Sequence, residues 1–308
     1  MRKKVILFGC QAISIDILRF LSSRADVDIL KVVTYEVLSD VSRGQESIKA
    51  VAADLGIEVL SPRRISQDLV EEIKILNPDV IISAYYRKIF PQELIEIPSF
   101  GILNIHPSTL PYYRGPVPTA WAILNNESEF GITIHKVDTG IDTGDILLQS
   151  RHDIGADETG YELYLRAMTL GARLLIENFD KIITSQVQPV KQAHGGSYYG
   201  KLESKVFLNW KQSAQQIKNN VRIRAHPYNP IEAILENKYF FINKVSIDEN
   251  SLFPIQVPGK ILQVNSDDTF IVSCSDGAVR IEEYSVYPAF TGVEKEIYLQ
   301  PGRSFDEH

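Results

Sequence analysis

An amide and an imidazole stand two residues apart near the end of a short apolar segment, and a carboxylate follows later in the chain. Asn104 and His106 lie in the run GILNIHP at residues 101–107, which is apolar, partly β-branched and closed by a proline. That composition predicts a strand, in which residues i and i+2 project from the same face. The pair suits a reaction that builds negative charge on a carbonyl oxygen, because both side chains can donate a hydrogen bond to it. Asp142 can orient the ring and take a proton from an attacking amine.

Each of these residue types also serves structure. A single Asn, His or Asp near a strand end is more often a turn or cap residue than a catalyst. Asp142 lies in the run DTGIDTGD at residues 138–145, and Asp and Gly favour turns, so the turn explanation is about as good from the local sequence alone. The position of Asp142 relative to Asn104 and His106 favours chemistry, whereas Asp138 and Asp145 are better explained as turn or cap residues.

The elements that must position these residues alternate between strands and helices. We predict strands at residues 5–8, 29–33, 58–60, 80–83 and 101–106, and helices at 13–21, 45–55 and 66–76, the last starting at a serine cap. Continuous apolar strands separated by amphipathic helices indicate an α/β fold with a Rossmann-like, doubly wound, mainly parallel sheet. Ligands collect beyond the carboxyl ends of such strands. The loop GCQAIS after the first strand lacks G-x-G-x-x-G, so an oxidoreductase is the weaker interpretation.

The second half of the chain has a different pattern. Residues 130–150 alternate like strands, with Ile132 and Ile134 on one face and Thr133, His135 and Val137 on the other. Residues 157–183 predict a long helix and residues 213–224 a shorter one. Short strand-like runs separated by Asp, Asn and Gly follow residue 239 and predict a small β-domain or barrel. We therefore predict a catalytic domain at 1–185, a linker at 186–204 and a β-rich domain at 205–308.

Composition limits the classes of function. The 308 residues carry a net charge of -7 with a pI near 5.5, which argues against a broad nucleic-acid surface. Cys10 and Cys274 are far apart and form neither a metal-ligand spacing nor a disulfide framework, so we expect a cytoplasmic protein without a metal. We find no signal peptide and no membrane-spanning segment.

The motif residues resemble a known family. The segments NIHPSTLPYYRG at 104–115, GITIH at 131–135 and DTGIDTG at 138–144 occur in the order and spacing of the formyltransferases that use 10-formyltetrahydrofolate. The resemblance covers residues 1 to about 185 well and continues more loosely to the C-terminus, where it implies an OB-like barrel. It implies transfer of a formyl group to an amine through a tetrahedral oxyanion. Asn104 and His106 would stabilise that oxyanion, and Asp142 would pair with His106 and receive or relay the amine proton.

The resemblance also implies binding residues, each with a structural alternative. In the family, the loop after the fourth strand contacts the pterin ring, which implies cofactor-binding roles for Ala84, Tyr85, Tyr86, Arg87, Ile89 and Phe90. We also assign a cofactor-binding role to Asp138 of the DTGIDTG segment. The candidate acceptor-binding residues are Arg114, His135, Tyr198 and Tyr228. The alternatives are an ordinary loop with exposed aromatic side chains, a loop cap for Arg114, a satisfied structural histidine for His135, and a proline-rich corner for Tyr228.

Two features favour one branch of the family. The sequence from Tyr85 to Arg87 resembles enzymes that formylate nucleotide-linked amino sugars, and residues 35–47 lack the basic insertion of the methionyl-tRNA enzymes. Lys218, Arg222 and Arg224 form a modest basic face, or simply a solvated helix surface. We therefore favour formylation of a dTDP- or UDP-linked amino-deoxysugar for cell-surface polysaccharide (lipopolysaccharide O-antigen) synthesis, with a homodimer possible. Methionyl-tRNA formylation, with tRNA as partner, is the alternative. A non-catalytic folate- or nucleotide-binding module is the alternative of another class.

Overall fold

The computed structural model describes residues 2–35, 46–249, 257–291 and 293–306. The chain divides into two compact units. The first unit comprises Met1–Pro118, Glu129–Asp153 and Leu165–Gly200. The second unit comprises Thr119–Ser128, Ile154–Tyr164 and Lys201–His308. The boundaries of the catalytic domain and linker proposed from the sequence stay a prediction.

The first unit is built on a seven-stranded sheet with the order β3-β2-β1-β4-β5-β6-β7. Strands β1 to β5 pair in parallel, and β6 and β7 each pair antiparallel with the preceding strand. The mainly parallel, doubly wound sheet predicted from the sequence is therefore confirmed. The strands are β1 Lys3–Gly9, β2 Val27–Val33, β3 Val59–Leu60, β4 Val80–Ala84, β5 Ile102–His106, β6 Glu129–Lys136 and β7 Ile146–Asp153.

The helices follow the predicted pattern where apolar periodicity is strong. Ser66 caps helix α3 (Gln67–Leu76), since its hydroxyl accepts a hydrogen bond from the backbone N–H of Leu69 at 3.4 Å, and such a cap contributes about 1 kcal/mol. The helix ends at Asn77, which adopts the left-handed conformation with φ 48°. The helices between residues 2 and 183 are α1 Gln11–Ser22, α2 Ile48–Asp54, α3 Gln67–Leu76, α4 Gln92–Ile95, α5 Pro118–Leu124 and the long α6 Gly160–Ile183.

Strand β6 is buried on both faces, whereas the sequence alternation suggested a polar face. Helix α6 covers one face, where a Cβ at Gly171 would lie 3.8 Å from Cγ2 of Ile132. The loop after β5 covers the other face, where a Cβ at Gly131 would lie 2.6 Å from the backbone N of Thr109. Thr133 and His135 are therefore 0% and 2% exposed.

An aromatic cluster supports the carboxyl ends of β1 and β4. The ring of Phe8 meets Tyr86 edge-on with 5.1 Å between centroids and meets Phe90 at 5.2 Å. These rings pack with the apolar side chains of α3, including Val70 and Ile73, in one buried cluster. Aromatic pairs of this geometry contribute about 0.5–1.5 kcal/mol beyond the burial of their area. The loop after β4 is thus fixed to the sheet by two of its own side chains.

The second unit contains a five-stranded antiparallel sheet with the order β10-β11-β12-β9-β8, the strand number of an OB-like barrel. Helix α7 packs on β9, and its Ser213 and Gln216 form a reciprocal capping box. A cluster of buried apolar residues, with Phe240 and Phe270 at its centre, forms the core. The elements are α7 Ala214–Arg222, β8 Ile231–Leu235, β9 Lys238–Ile247, β10 Ile261–Val264, β11 Phe270–Ser273, β12 Ala278–Tyr287 and α8 Glu294–Tyr298.

A membrane-spanning helix is not found in the described ranges, where no helix is both long and apolar enough to cross a bilayer.

Candidate active site

Four polar side chains meet at the carboxyl end of β5 in the first unit. Nδ1 of His106 lies 3.5 Å from Oδ2 of Asp142, and Nε2 of His135 lies 3.6 Å from Oδ1 of the same carboxylate. Nδ2 of Asn104 lies 3.1 Å from Nε2 of His135. The structure therefore brings together the three residues predicted as catalytic and His135, which was predicted to bind the acceptor and is buried.

Strand register explains this grouping. Asn104 pairs with Ser83 across the parallel ladder to β4 and with His135 across the antiparallel ladder to β6. Directly opposed residues project from the same face of a sheet. The Ser83 hydroxyl accordingly donates to Oδ1 of Asn104 at 2.9 Å. The Asn104 amide is thus held from both sides.

His106 is almost fully buried, at 5% exposure. Its Nε2 donates to the carbonyl oxygen of Tyr113 at 2.8 Å, while its Nδ1 faces Asp142. Burial lowers the pKa of His106 below its ordinary value, and this effect outweighs the opposing influence of the Asp142 carboxylate and the Tyr113 carbonyl. The ring is therefore neutral near pH 7. It carries one N–H, although two acceptors, the Tyr113 carbonyl and the Asp142 carboxylate, face its two nitrogens.

Asp142 is ionised although it is largely buried. Burial alone would raise its pKa, but His106, His135 and the backbone N–H of Gly115 together lower the pKa of Asp142 to about 2. The Gly115 N–H donates to Oδ2 at 2.9 Å. Asp142 adopts a left-handed backbone conformation with φ 54°, which few non-glycine residues do. Such local strain is often found at functional sites.

The turn that carries Asp142 is closed by tight contacts. A Cβ at Gly144 would lie 1.8 Å from the backbone oxygen of Lys136, so only glycine allows this approach. The Lys136 N–H also donates to the carbonyl of Asp145 at 2.8 Å. Oδ1 of Asp138 accepts hydrogen bonds from the Gly140 N–H at 3.1 Å and the Thr143 hydroxyl at 2.6 Å. Asp138 therefore shapes the turn, in agreement with its interpretation as a turn residue.

A second segment, residues 192–199, lies along the loop that follows β5. We call this segment the strap. The carbonyl of Ser197 accepts from the Arg114 N–H at 2.9 Å, and the Tyr199 N–H donates to the Arg114 carbonyl at 3.0 Å. The rings of Tyr113 and Tyr199 stack with centroids 5.1 Å apart. The ring of Tyr198 is 57% exposed and lies against Gly115. The strap thus forms an aromatic rim beside Asp142.

Gln192 of the strap was not among the residues predicted from the sequence. Its Nε2 donates to the carbonyl oxygens of Asp142 and Gly144, both at 2.8 Å. Its Oε1 accepts from Nη2 of Arg114 at 2.6 Å and from Nε at 3.2 Å. A glutamine in a predicted linker offers no signal of such a role, because no local pattern links it to residues so distant in the chain.

The loop after β4 divides the predicted cofactor-binding residues into two groups. The side chains of Tyr86 and Phe90 are buried in the aromatic cluster, at 8% and 6% exposure. Arg87 and Ile89 are exposed, the latter at 73%. Tyr85 has a left-handed backbone with φ 56°, and its carbonyl accepts from the Tyr35 hydroxyl at 3.1 Å. The Ala84 carbonyl accepts from the Ser14 hydroxyl at the same distance.

Burial isolates the Tyr86 hydroxyl of this loop. The Tyr86 hydroxyl has no hydrogen-bond partner among the described residues, and burial raises the pKa of Tyr86 to about 12. An unpaired buried hydroxyl is costly, so this atom suits a ligand that supplies a polar partner.

Other predicted residues lie in the second unit or outside the described ranges. The ring of Tyr228 meets Tyr161 edge-on, with centroids 5.9 Å apart. Of the predicted basic face, Arg222 is buried and donates to the carbonyls of Gly155, Ala156 and Glu158, and Lys218 pairs with Asp157. Arg224 lies just beyond α7 and is partly exposed. Residues 36–45 of the segment that lacks a basic insertion lie outside the described residues.

Metal ligands are not grouped in the part of the chain that the structure describes. No set of three or more His, Cys, Asp or Glu side chains is placed there to hold an ion.

Comparison with family models identifies both parts of the chain. The model described as formyl transferase matches residues 3–179, and that described as formyl transferase, C-terminal domain, matches residues 203–286. The methionyl-tRNA formyltransferase of Geobacter metallireducens is 37% identical over 263 residues, which are 83% of this chain and 82% of the relative. That of Citrifermentans bemidjiense is 35% identical over 289 residues, which are 91% of this chain and 88% of the relative.

Two solved structures share the fold over most of their length. WlaRD, a sugar 3N-formyl transferase solved in the presence of dTDP and 5-N-formyl-THF, has a TM-score of 0.72 at 24% identity, covering 92% of this chain and 98% of its own. The N-formyltransferase from Helicobacter canadensis, in complex with folinic acid and dTDP-3-aminofucose, has a TM-score of 0.74 at 23% identity, covering 92% and 100%. At this identity the similarity shows the fold alone.

Proposed function

The chain belongs to the formyl transferase family, and we propose that it formylates the amine of a nucleotide-linked amino-deoxysugar. Membership makes it a folate-dependent formyltransferase with 10-formyltetrahydrofolate as the formyl donor, as the sequence motifs predicted. The acceptor, the role of each site residue, and the division into a catalytic domain at 1–185 and a β-rich domain at 205–308 belong to the proposal.

We assign stabilisation of the oxyanion to Asn104 and His106. One N–H of the Asn104 amide is directed at His135 at 3.1 Å, which leaves the second N–H of the same nitrogen for the substrate. His106 stands two residues away on the same face of β5. Removal of one oxyanion donor typically costs about 2.7–4 kcal/mol of transition-state stabilisation, so either side chain should be essential for rapid turnover.

Asp142 is assigned to proton transfer. The attacking amine forms a bond to the formyl carbon and must lose a proton, while the folate nitrogen that leaves must gain one. Asp142, with a pKa of about 2, is ionised and can receive that proton directly or by way of His106 at 3.5 Å. Protonation of His106 would leave Nε2 bonded to the Tyr113 carbonyl and Nδ1 facing Asp142, so the ring would stabilise the oxyanion through its positive charge and not through a direct N–H donor.

The loop after β4 fits the pterin of the formyl donor. The exposed side chain of Ile89 offers apolar area for a flat ring, and the buried Tyr86 hydroxyl offers a polar atom that has no partner among the described residues. Pterin supplies both a flat face and hydrogen-bonding edges. We therefore assign formyl-donor binding to Ala84, Tyr85, Tyr86, Arg87, Ile89 and Phe90, with Tyr86 and Phe90 supporting the loop from below and Asp138 acting through the Asp142 turn.

The position of Tyr198 carries the acceptor proposal. Its exposed ring lies against Gly115, the residue whose N–H donates to Asp142. An exposed ring beside the proton acceptor is a stacking surface for a nucleotide base or a sugar, because every base offers a π-face. Arg114, next to Gly115, has its guanidinium turned towards Gln192 and would meet a diphosphate only by exchanging that partner. These features support a small acceptor bound at the rim.

Methionyl-tRNA is the second candidate acceptor. The curated relatives that cover most of this chain are methionyl-tRNA formyltransferases, and identity of 35–37% over that length favours a shared acceptor. A tRNA acceptor would need clustered Lys and Arg for the phosphate backbone. The two basic residues of α7 with described partners, Lys218 and Arg222, are already paired within the second unit.

The experiment measures formyl transfer with wild type, Tyr198→Ala and Tyr198→Phe. Each protein is supplied with 10-formyltetrahydrofolate and either a dTDP- or UDP-linked amino-deoxysugar or charged initiator tRNA, and folate release is followed by absorbance. Tyr239→Ala, which removes an exposed tyrosine of the second unit, is the matched control.

We expect turnover with a sugar nucleotide, and an acceptor KM that rises by about 10-fold in Tyr198→Ala but little in Tyr198→Phe, because stacking on a ring contributes about 1–3 kcal/mol. Turnover with tRNA alone would overturn the acceptor proposal. An unchanged acceptor KM in Tyr198→Ala would remove the observation that carries it.

A further inference from the structure

Gln192 links three parts of the candidate site that are distant in sequence. Its amide nitrogen bonds the backbone carbonyls on either side of Thr143, and its amide oxygen bonds the Arg114 guanidinium. Both donors and the acceptor of this one side chain are therefore satisfied by the turn and the loop that flank the Asp142 carboxylate. Gln192 itself is only partly exposed, although its neighbours Lys191, Ala193 and His194 are exposed.

The conformation of Asp142 gives this contact its importance. A left-handed backbone is unfavourable for a non-glycine residue and persists only where surrounding contacts hold it. The Gly144 approach to Lys136 holds one end of the turn, and the two bonds from Gln192 hold the carbonyls of Asp142 and Gly144. These contacts direct the Asp142 carboxylate to His106, His135 and the Gly115 N–H at the same time.

We propose that Gln192 is a positioning residue for formyl transfer, which acts by fixing the backbone of Asp142 so that the carboxylate meets both histidines. This inference rests on the proposed role of Asp142. Gln192 touches none of the reacting groups, so its effect is on the geometry of proton transfer. A displacement of about 1 Å in a reacting group can lower a rate by about 100-fold, so two backbone hydrogen bonds are sufficient to matter.

A purely structural role makes a different prediction. If Gln192 only fastened the strap to the loop, its loss would weaken folding and ligand binding together, and the contact to Arg114 would be the important one. The two roles separate because the glutamine uses its nitrogen for the Asp142 turn and its oxygen for Arg114.

The test uses substitutions that divide those functions. Gln192→Glu keeps an acceptor for Arg114 but replaces the N–H donors with an oxygen that repels the carbonyls of Asp142 and Gly144. Gln192→Leu removes donors and acceptor at similar volume. Gln188→Ala is the control, since this exposed glutamine precedes the strap and its side chain donates to the Ser185 carbonyl at 2.8 Å.

Four quantities are measured for each variant: kcat, the KM of both substrates, the Kd for 5-formyltetrahydrofolate, and the midpoint of thermal unfolding. We expect kcat to fall at least about 10-fold in Gln192→Glu and Gln192→Leu, with the Kd for 5-formyltetrahydrofolate within about twofold of wild type. In Gln192→Leu, which adds no charge, the NMR titration of His106 should also shift to lower pH, because a displaced Asp142 no longer favours the protonated ring. Gln188→Ala should match wild type in all of these.

Wild-type kcat in both Gln192 variants and an unchanged His106 titration in Gln192→Leu would overturn the proposal. A loss of kcat only in proportion to lost folate binding or lost folded protein would assign Gln192 a structural role and overturn it as well. Asp142→Asn distinguishes failure of the underlying function: if that variant turns over normally, the assignment of Asp142 is wrong, whereas a dead Asp142→Asn with normal Gln192 variants contradicts this inference alone.

Discussion

Asn104 and His135 face each other across β5 and β6, with Nδ2 of the amide 3.1 Å from Nε2 of the ring. The other ring nitrogen, Nδ1, lies 2.8 Å from the carbonyl oxygen of Lys136. A carbonyl only accepts, so Nδ1 donates to it, and because Nδ2 of Asn104 only donates, Nε2 of the ring accepts from Asn104. His135 therefore fixes the orientation of the Asn104 amide, so that the second N–H of this amide faces the site.

This relationship predicts the effect of changing His135. In His135→Leu the Asn104 amide loses its acceptor and can rotate, so we expect kcat to fall by about 10- to 100-fold, less than for loss of Asn104 itself. His135→Gln places an amide oxygen near the former Nε2 and should recover part of the activity. Steady-state kinetics of the two variants and of Asn104→Ala check this order. Equal activity of the Leu and Gln variants would contradict the role of the acceptor.

His106 should titrate below its ordinary pKa in the folded protein. Burial lowers the pKa of His106, and the nearby Asp142 carboxylate opposes that effect. Asp142→Asn removes the opposing charge, so the pKa of His106 should fall further in that variant. NMR titration of the imidazole resonances between pH 4 and about 8 measures both values, a window chosen around the ordinary His pKa of about 6.5. A pKa above the ordinary value in wild type would show that the Asp142 charge outweighs burial, and an unchanged or higher pKa in Asp142→Asn would show that this charge does not reach the ring.

Gly144 should tolerate no side chain. In Gly144→Ala the new Cβ would meet the Lys136 carbonyl at 1.8 Å, so the turn must move and carry Asp142 with it. We expect a loss of about 1–3 kcal/mol of folding free energy, together with a large fall in kcat. Gly200→Ala is the control, because a Cβ there meets no atom within 4 Å. Chemical denaturation gives the folding free energy of the two variants, and steady-state kinetics gives their kcat. If Gly144→Ala matched Gly200→Ala in both quantities, the turn would not be constrained.

Tyr86→Phe tests the fit of the formyl donor. The hydroxyl that it removes is buried and has no partner among the described residues, so the variant without ligand should be as stable as wild type or more stable. If the hydroxyl bonds the pterin, the Kd for 5-formyltetrahydrofolate should rise by about 5- to 20-fold, since a typical hydrogen bond contributes about 1 kcal/mol and an unmade one costs more. Calorimetric titration and thermal unfolding measure the two effects. Lower stability with an unchanged Kd would assign the hydroxyl to the protein instead.

Local sequence was sufficient to predict the strands and to place Asn104 and His106 on one face of β5. The apolar runs at residues 80–83 and 101–106 correspond to β4 Val80–Ala84 and β5 Ile102–His106, because buried parallel strands need continuous apolar residues. The two-residue period then places Asn104 and His106 on one face without further information.

The remaining members of the site depend on contacts that local sequence does not encode. The burial of His135 follows from the loop that covers β6, so alternation alone suggested a polar face. The left-handed backbone of Asp142 is set by Gly144 and by Gln192, which lies 50 residues further along the chain. Tyr86 and Phe90 share a loop with Ile89, but their burial depends on packing against Phe8 of β1.

The most direct measurement places both acceptors in one vessel. Wild-type protein receives limiting 10-formyltetrahydrofolate with equal concentrations of charged initiator tRNA and a dTDP- or UDP-linked amino-deoxysugar, and mass spectrometry counts formyl groups on each acceptor. The proposed function predicts that the formyl group appears on the sugar amine, and that Asn104→Ala, His106→Ala and Asp142→Asn abolish its transfer. Formyl groups found only on the methionyl-tRNA would contradict the acceptor, and normal transfer by the three variants would contradict the active site.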